Sequence, residues 1–295
     1  MSAVEAPLTV VSALAAVEKH VGGHAEWRAT TETQGAFLHN VYAPCRAEVE
    51  RIPEIESCGS SNVEDLNDFA ARRGLAVSFR PLQADEAAAV SVLDLLVTWT
   101  EPGRSSPVFT RDRHHFPGVR LPASQVTFRR AACHPAPIAI ISTVTGDTVS
   151  LTPLESAGRD LVALARRLTG DSEPGERFAG VVFPMVDLEV KQDLGIVIGL
   201  ATRAADGRSV QIVAAEQHSS LKMNESGARA EVIVTMQMVL GIRRQAPLDF
   251  VINEPFLVWI ERPGLSAPLF VAHVTREAWR NPGDLAARLS RPGPA

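Results

Sequence analysis

The sequence is poor in lysine and cysteine, carries no excess of positive charge and has no long apolar run. Lys19, Lys191 and Lys222 are its only lysines, so arginine supplies nearly all the positive charge, a bias without functional content. The formal net charge of −5 and a pI near 5.9 exclude a dedicated nucleic-acid binder, whose phosphate contacts need a basic surface. Cys45, Cys58 and Cys133 are odd in number, widely spaced and without a Cys-x-x-Cys pair. That excludes a disulfide framework and fits a reducing compartment. The apolar stretch near the N-terminus lacks a preceding basic segment, and no stretch reaches the length of a membrane span. The expectation is a cytoplasmic protein, or a secreted one if the true start lies upstream. No P-loop, Gly-x-Gly-x-x-Gly or Gly-x-Ser-x-Gly motif occurs. His20 and His24 stand at helical spacing with two glycines between them, and His114–His115 and Cys133–His134 lie in Pro-rich stretches. The first pair has no acidic partner motif after it and the other two lack Cys-x-x-Cys or His-x-x-x-His spacing, so neither a metal, a cofactor nor an enzyme is expected.

What is present is globular: 295 residues, 45% hydrophobic and 21% charged. Pro7 to Val21 reads as a mostly apolar interior helix ended by Gly22–Gly23. AEVERI (47–52) alternates as a half-exposed strand does, and Ser60–Ser61–Asn62 caps a helix from Val63 to Arg73. Ala87 to Thr100 predicts a strand buried on both faces, whereas 101–125 is the poorest region for regular structure. Strands follow at Ile138–Val144 and Thr148–Leu151 about a Gly146–Asp147 turn, then at Gly180–Val190 and Ser209–Ala215. Ala157–Leu168 reads as an amphipathic helix and Asp193–Leu200 as a short one. Two last strands, Phe256–Glu261 and Pro268–Val274, flank a Pro263–Gly264 turn, and residues 281–295 read as a frayed tail. Helices and strands mix without a βαβ rhythm, so the class is α+β.

The C-terminal third carries more. SLKMNESGARAEVIV (220–234) is followed by LDFVINEPFLVWIERPGLSAPLFVAHVTREAWRNP (248–282). This resembles the serpin family: an acidic-Gly-small hinge, a reactive loop, then Phe250, Pro255, Phe256, Leu269, Phe270 and Val274 in the family's order and spacing. FPMVDLEVKQDLGIVIGL (183–200), AVSVLDLLVTW (89–99) and PLTVVSALAAVEKHVGGHAEW (7–27) resemble further serpin segments. The resemblance implies one domain over 1–295, with mixed sheets A, B and C, surrounding helices and an exposed reactive loop. It also implies an N-terminally shortened, bacterial-type member, because the chain starts near the family's second helix and 28–45 is brief. Trp99 is then the tryptophan under the top of sheet A.

A serpin works mechanically. A protease cuts the exposed loop, which enters sheet A as a new central strand and drags the tethered enzyme across the molecule. Such a loop must alternate, since a strand has period two. From Gly227 one parity reads Ala228, Ala230, Val232, Val234, Met236 and Met238, all apolar. The other reads Arg229, Glu231, Ile233, Thr235 and Gln237. That pattern equally describes a permanent strand, and periodicity does not separate the two.

The resemblance assigns the hinge to Glu225, Gly227, Ala228 and Ala230, and the scissile bond to the window 238–244. The family's offset points to Gly241–Ile242; Arg243 or Arg244 suits a trypsin-like protease, and Met238 or Leu240 a chymotrypsin- or subtilisin-like one. The sheet-opening region comprises Trp99, Ser91 in place of the family's Asn, and His218, one residue too close to Gly227. Ala6 replaces a serine before Pro7. At the hinge Ala228 replaces a hydroxyl residue, and Arg229, Glu231, Val232 and Ile233 are bulky or charged. Two functions therefore stay open: a monomeric suicide inhibitor of a serine protease, or a non-inhibitory serpin-fold scaffold.

Overall fold

Pro7 opens helix α1 (Pro7–Val21) at the position where a missing N–H is harmless. The helix is interior, with Leu8, Val11, Leu14 and Val17 fully buried. Gly22 ends it at φ +104°, donating its N–H to the Glu18 carbonyl. This is a computed structural model, and it describes residues 2–22, 26–96, 98–158, 160–225, 248–283 and 285. After a helical stretch at 32–45, the segment read as the strand AEVERI instead holds a 3-10 turn, Val49–Arg51. Val49 and Ile52 are three residues apart and both buried, the spacing of a 3-10 face, so the apparent alternation was misleading.

Strand β1 (Ile55–Ser60) lies directly on α1. The approach is close enough that a Cβ on Gly59 would stand 2.4 Å from the Val17 nitrogen. Helix α2 (Val63–Arg72) is capped by Asn62, whose Oδ1 accepts from the Glu64 N–H at 3.1 Å. Its Leu66 and Phe69 pack on Ala88 and Val90 of strand β2 (Glu86–Leu96). Region 101–125 holds more structure than expected: Arg104–Ser105, Val108–Phe109, His115–Phe116 and β3 (Gly118–Pro122) are strands. Pro102, Pro107, Pro117 and Pro122 punctuate them, keeping each piece short.

A meander follows, β4 (Val126–Ala131), β5 (His134–Ser142) and β6 (Thr148–Pro153). Helix α3 (Leu161–Gly170) starts later than 157 because Asp160 caps it, accepting from the Ala163 N–H at 2.7 Å. The strand expected over 180–190 is two, β7 (Gly180–Pro184) and β8 (Val186–Asp193), in different sheets. Pro184 cannot donate to a ladder, and the chain changes sheet just beyond it. The short helix expected after 193 is one 3-10 turn, Gly195–Val197. Strand β9 (Ser209–Met223) continues well past Ala215 and takes in His218 and Lys222. Strands β10 (Phe256–Glu261) and β11 (Phe270–Val274) close the order as expected.

These strands form three main sheets. Sheet B has seven strands, in the order Ala3–Glu5, β11, β10, β6, β5, β4, Ser172–Pro174. Sheet C has four: Phe250–Val251, β7, β3 and Arg104–Ser105. Sheet A runs β8–β9–β2–β1, with Ala201–Arg203 beside the start of β9. A single core containing Leu8, Leu93, Phe183, Phe256 and Phe270 joins the three. No helix among the described residues is long and apolar enough to cross a membrane.

Candidate functional site: the seam of sheet A and its exit

Sheet A contains one parallel pair, and everything of interest gathers around it. β9 and β2 are neighbours from Gln211↔Glu86 to Lys222↔Leu96, while β8–β9 and β2–β1 are antiparallel. No strand among the described residues lies between β9 and β2. Parallel pairing is slightly weaker per residue than antiparallel pairing, so this seam holds less firmly per residue than its neighbours. Both strands end at the same pole, and β9 leads there into the segment assigned to the reactive loop.

Beneath the seam a buried polar network links the strands to α1. Ser91 on β2 is fully buried; the Ser57 hydroxyl of β1 lies 2.8 Å from its Oγ and 2.9 Å from the Ser12 Oγ. Across the seam, Gln217 is the Cα partner of Ser91. The Thr9 hydroxyl of α1 donates to Gln217 Oε1 at 2.7 Å, and Gln217 Nε2 donates to Ser219 Oγ at 2.8 Å. Thr9, Gln217 and Ser219 are satisfied and buried, so losing one partner there strands the other, whereas Ser12 and Ser57 are half-buried.

The residue facing α1 is thus Gln217 and not His218. His218 points to the opposite face, 3.5 Å from Glu216 Oε2, which Lys191 also approaches at 3.0 Å. There it lines a cavity of about 490 Å³ lying across the seam, with Ala76, Val92, Asp94, Glu189 and Ser220. The sequence held a sign of this. Leu221 and Met223 are the apolar residues of one parity, and counting back by twos from them reaches Gln217.

At the exit, four side-chain and backbone ties hold the end of β9. Lys222 Nζ bridges Asp187 at 2.9 Å and Glu189 at 2.6 Å on β8. Burial alone would raise the Asp187 carboxyl, but the Lys222 ammonium and Arg280 outweigh it and hold it below the usual carboxylate range. Burial would likewise lower the Lys222 amine, and its two carboxylates reverse that. Trp99, itself buried and edge-on to Phe183 at 5.8 Å, donates its Nε1–H to the Asn224 carbonyl at 2.8 Å. The Gly103 N–H donates to the Glu225 carbonyl at 2.9 Å. Of the hinge residues only Glu225 is described. Gly227, Ala228 and Ala230, and the window Met238, Leu240, Gly241, Ile242, Arg243 and Arg244, lie outside the described residues.

Neither a family model nor a curated protein matches the sequence. Solved structures do match. Serpin48 of the insect Tenebrio molitor superposes with a TM-score of 0.59 at 12% identity, over 92% of this chain and 91% of that one. The mouse protein-Z dependent protease inhibitor gives 0.57 at 13% identity, over 92% and 90%. This chain has the serpin fold. At such identity the likeness establishes architecture alone. It accounts for the resemblance seen in the C-terminal third. No group of three or more His, Cys, Asp or Glu side chains that could hold a metal ion occurs among the described residues.

Proposed function

We propose that the protein is a suicide inhibitor of a serine protease, which cuts within 238–244 and is trapped as the segment after Gly227 enters the β9–β2 seam. The observation carrying this reading is the closed parallel seam joined to an alternating segment. A strand that leaves β9, reverses and enters between β9 and β2 runs antiparallel to both. It replaces one parallel ladder by two antiparallel ones. Residues 228–238 number 11, the same as β2, so the alternating stretch fits the seam from end to end. About a dozen added hydrogen bonds at about 1 kcal/mol each give a driving force on the order of 10 kcal/mol. The named neighbours include a protease inhibitor, which supports a protease as partner.

One observation favours a second reading. Arg229, Glu231, Val232 and Ile233 make a bulky entry to the seam, and slow insertion lets the protease escape with a cut loop. The protein would then be a non-inhibitory scaffold of the same fold. Incubation with trypsin, chymotrypsin and subtilisin followed by a denaturing gel separates the two. A covalent complex stable to SDS is expected; clean cleavage near 238–244 with no complex from any of the three supports the scaffold instead.

A further inference from the structure

Beyond β11, the described residues stay packed on the molecule. Thr275 is held by Ser2, whose Oγ lies 3.1 Å from the Thr275 Oγ1. Arg276 pairs with Asp112 at 2.8 Å. Trp279 is buried, edge-on to Phe116 at 5.1 Å and stacked obliquely on Phe256 at 6.2 Å. From that anchor the segment turns towards the exit of sheet A. Arg280 Nε meets Asp187 Oδ2 at 3.1 Å, on the same carboxylate that holds Lys222. Asn281 Oδ1 accepts from the Gly283 N–H at 2.9 Å, a local turn that presents the Gly283 carbonyl. Asn224, the first residue after β9, donates its Nδ2–H to that carbonyl at 2.8 Å, and Leu285 is fully buried.

We propose that residues 276–283, with the buried Leu285, form an intramolecular latch that holds the exit of β9 closed and sets how readily the seam opens. The segment touches both charged and neutral ties of the exit. Asp187 sits between Lys222 and Arg280, and Asn224 sits between Trp99 and Gly283. No strand can enter the seam from this pole until Asn224 and Glu225 swing away from Trp99 and Gly103, and the Gly283 carbonyl holds Asn224 in place. Trp279 fixes the base of the latch, so its reach to Asn224 is set by the few residues from Arg280 to Gly283. The latch itself is a statement about the resting fold; its control of loop entry rests on the insertion reading above.

The test compares the full chain with Leu285→Asp and with a chain ending after Arg280. Hydrogen exchange is followed in fragments 99–104 and 216–225, with 256–261 as an internal control from sheet B. The latch predicts exchange about tenfold faster at the first two fragments in both variants, with the control unchanged. Unchanged exchange at the exit overturns the latch, and so does an equal rise in the control, which reports general loosening. A synthetic peptide of residues 228–238 then reads out seam opening, and the variants are expected to take it up faster than the full chain. Faster exit exchange without peptide uptake by any chain leaves the latch standing and overturns insertion.

Discussion

Gln217 illustrates how a single side chain serves a site when its face is fixed by period two. Its amide spans from Thr9 on α1 to Ser219 on its own strand, and it lies opposite Ser91. Replacing it with leucine keeps the volume but leaves the Thr9 hydroxyl of α1 without this acceptor. A loss of about 1–2 kcal/mol in urea unfolding is expected, while His218→Leu, on the opposite face, changes stability by less. Gly59 is a second such position, since any side chain there drives into the backbone of α1. Gly59→Val is expected to lower stability by about 3 kcal/mol in the same measurement. Arg262 is a third. Its guanidinium binds Glu54 at 2.6 Å and Asp147 at 2.7 Å, joining the β5–β6 turn to the approach to β1. Arg262→Ala leaves the buried Asp147 carboxylate without its counter-charge, and a loss of about 2–3 kcal/mol is expected. Of these residues, the sequence made only His218 visible, one place from the side chain that matters. Gly59 and Arg262 act through partners about 40 and 115 to 208 positions away, and no local pattern reports such contacts.

At the scale of elements, legibility followed the strength of the local signal. α1, α2 and the last two strands were readable because an apolar run or a cap met a clear stop, as at Asn62 and Gly22. AEVERI was misread because Ala47 and Val49 alternate with Glu48 and Glu50, although the buried pair, Val49 and Ile52, is three apart. The length of β9 was missed because its second half carries Gln217, His218, Ser219, Ser220 and Lys222, polar residues whose burial depends on neighbouring strands. The tie between β9 and β8 also makes a prediction about pH. Asp187 has a lowered carboxyl pKa when folded, so its stabilisation is full above the ordinary value of about 4 and fades as pH falls through the folded one. Lys222 is raised, so its share persists until the solution is more alkaline than its ordinary value of about 10.4. The difference in melting temperature between the parent and Asp187→Asn is therefore expected to be widest at pH 6–8. It should shrink below about pH 4. A difference independent of pH would show that the charge on Asp187 contributes nothing.

The whole molecule is organised around one parallel ladder in an otherwise antiparallel sheet A. The core, the α1 network and the exit ties surround that ladder, and the sequence after β9 has the length and alternation that the proposed entering strand needs. The fold was legible in the sequence through the spacing of Phe250, Pro255, Phe256, Leu269, Phe270 and Val274. The state of the seam was not, because pairing between Glu86–Leu96 and Ser209–Met223 joins strands far apart in the chain. If the resting sheet is closed and the loop can enter it, cutting the loop must release stability that the intact chain lacks. The most direct measurement is the melting temperature of the intact protein against that of the same protein cut once within 238–244 and left associated. With a gain on the order of 10 kcal/mol, the cut form is expected to melt about 20 °C higher or more. A cut form that melts at the same temperature, or lower, contradicts loop insertion.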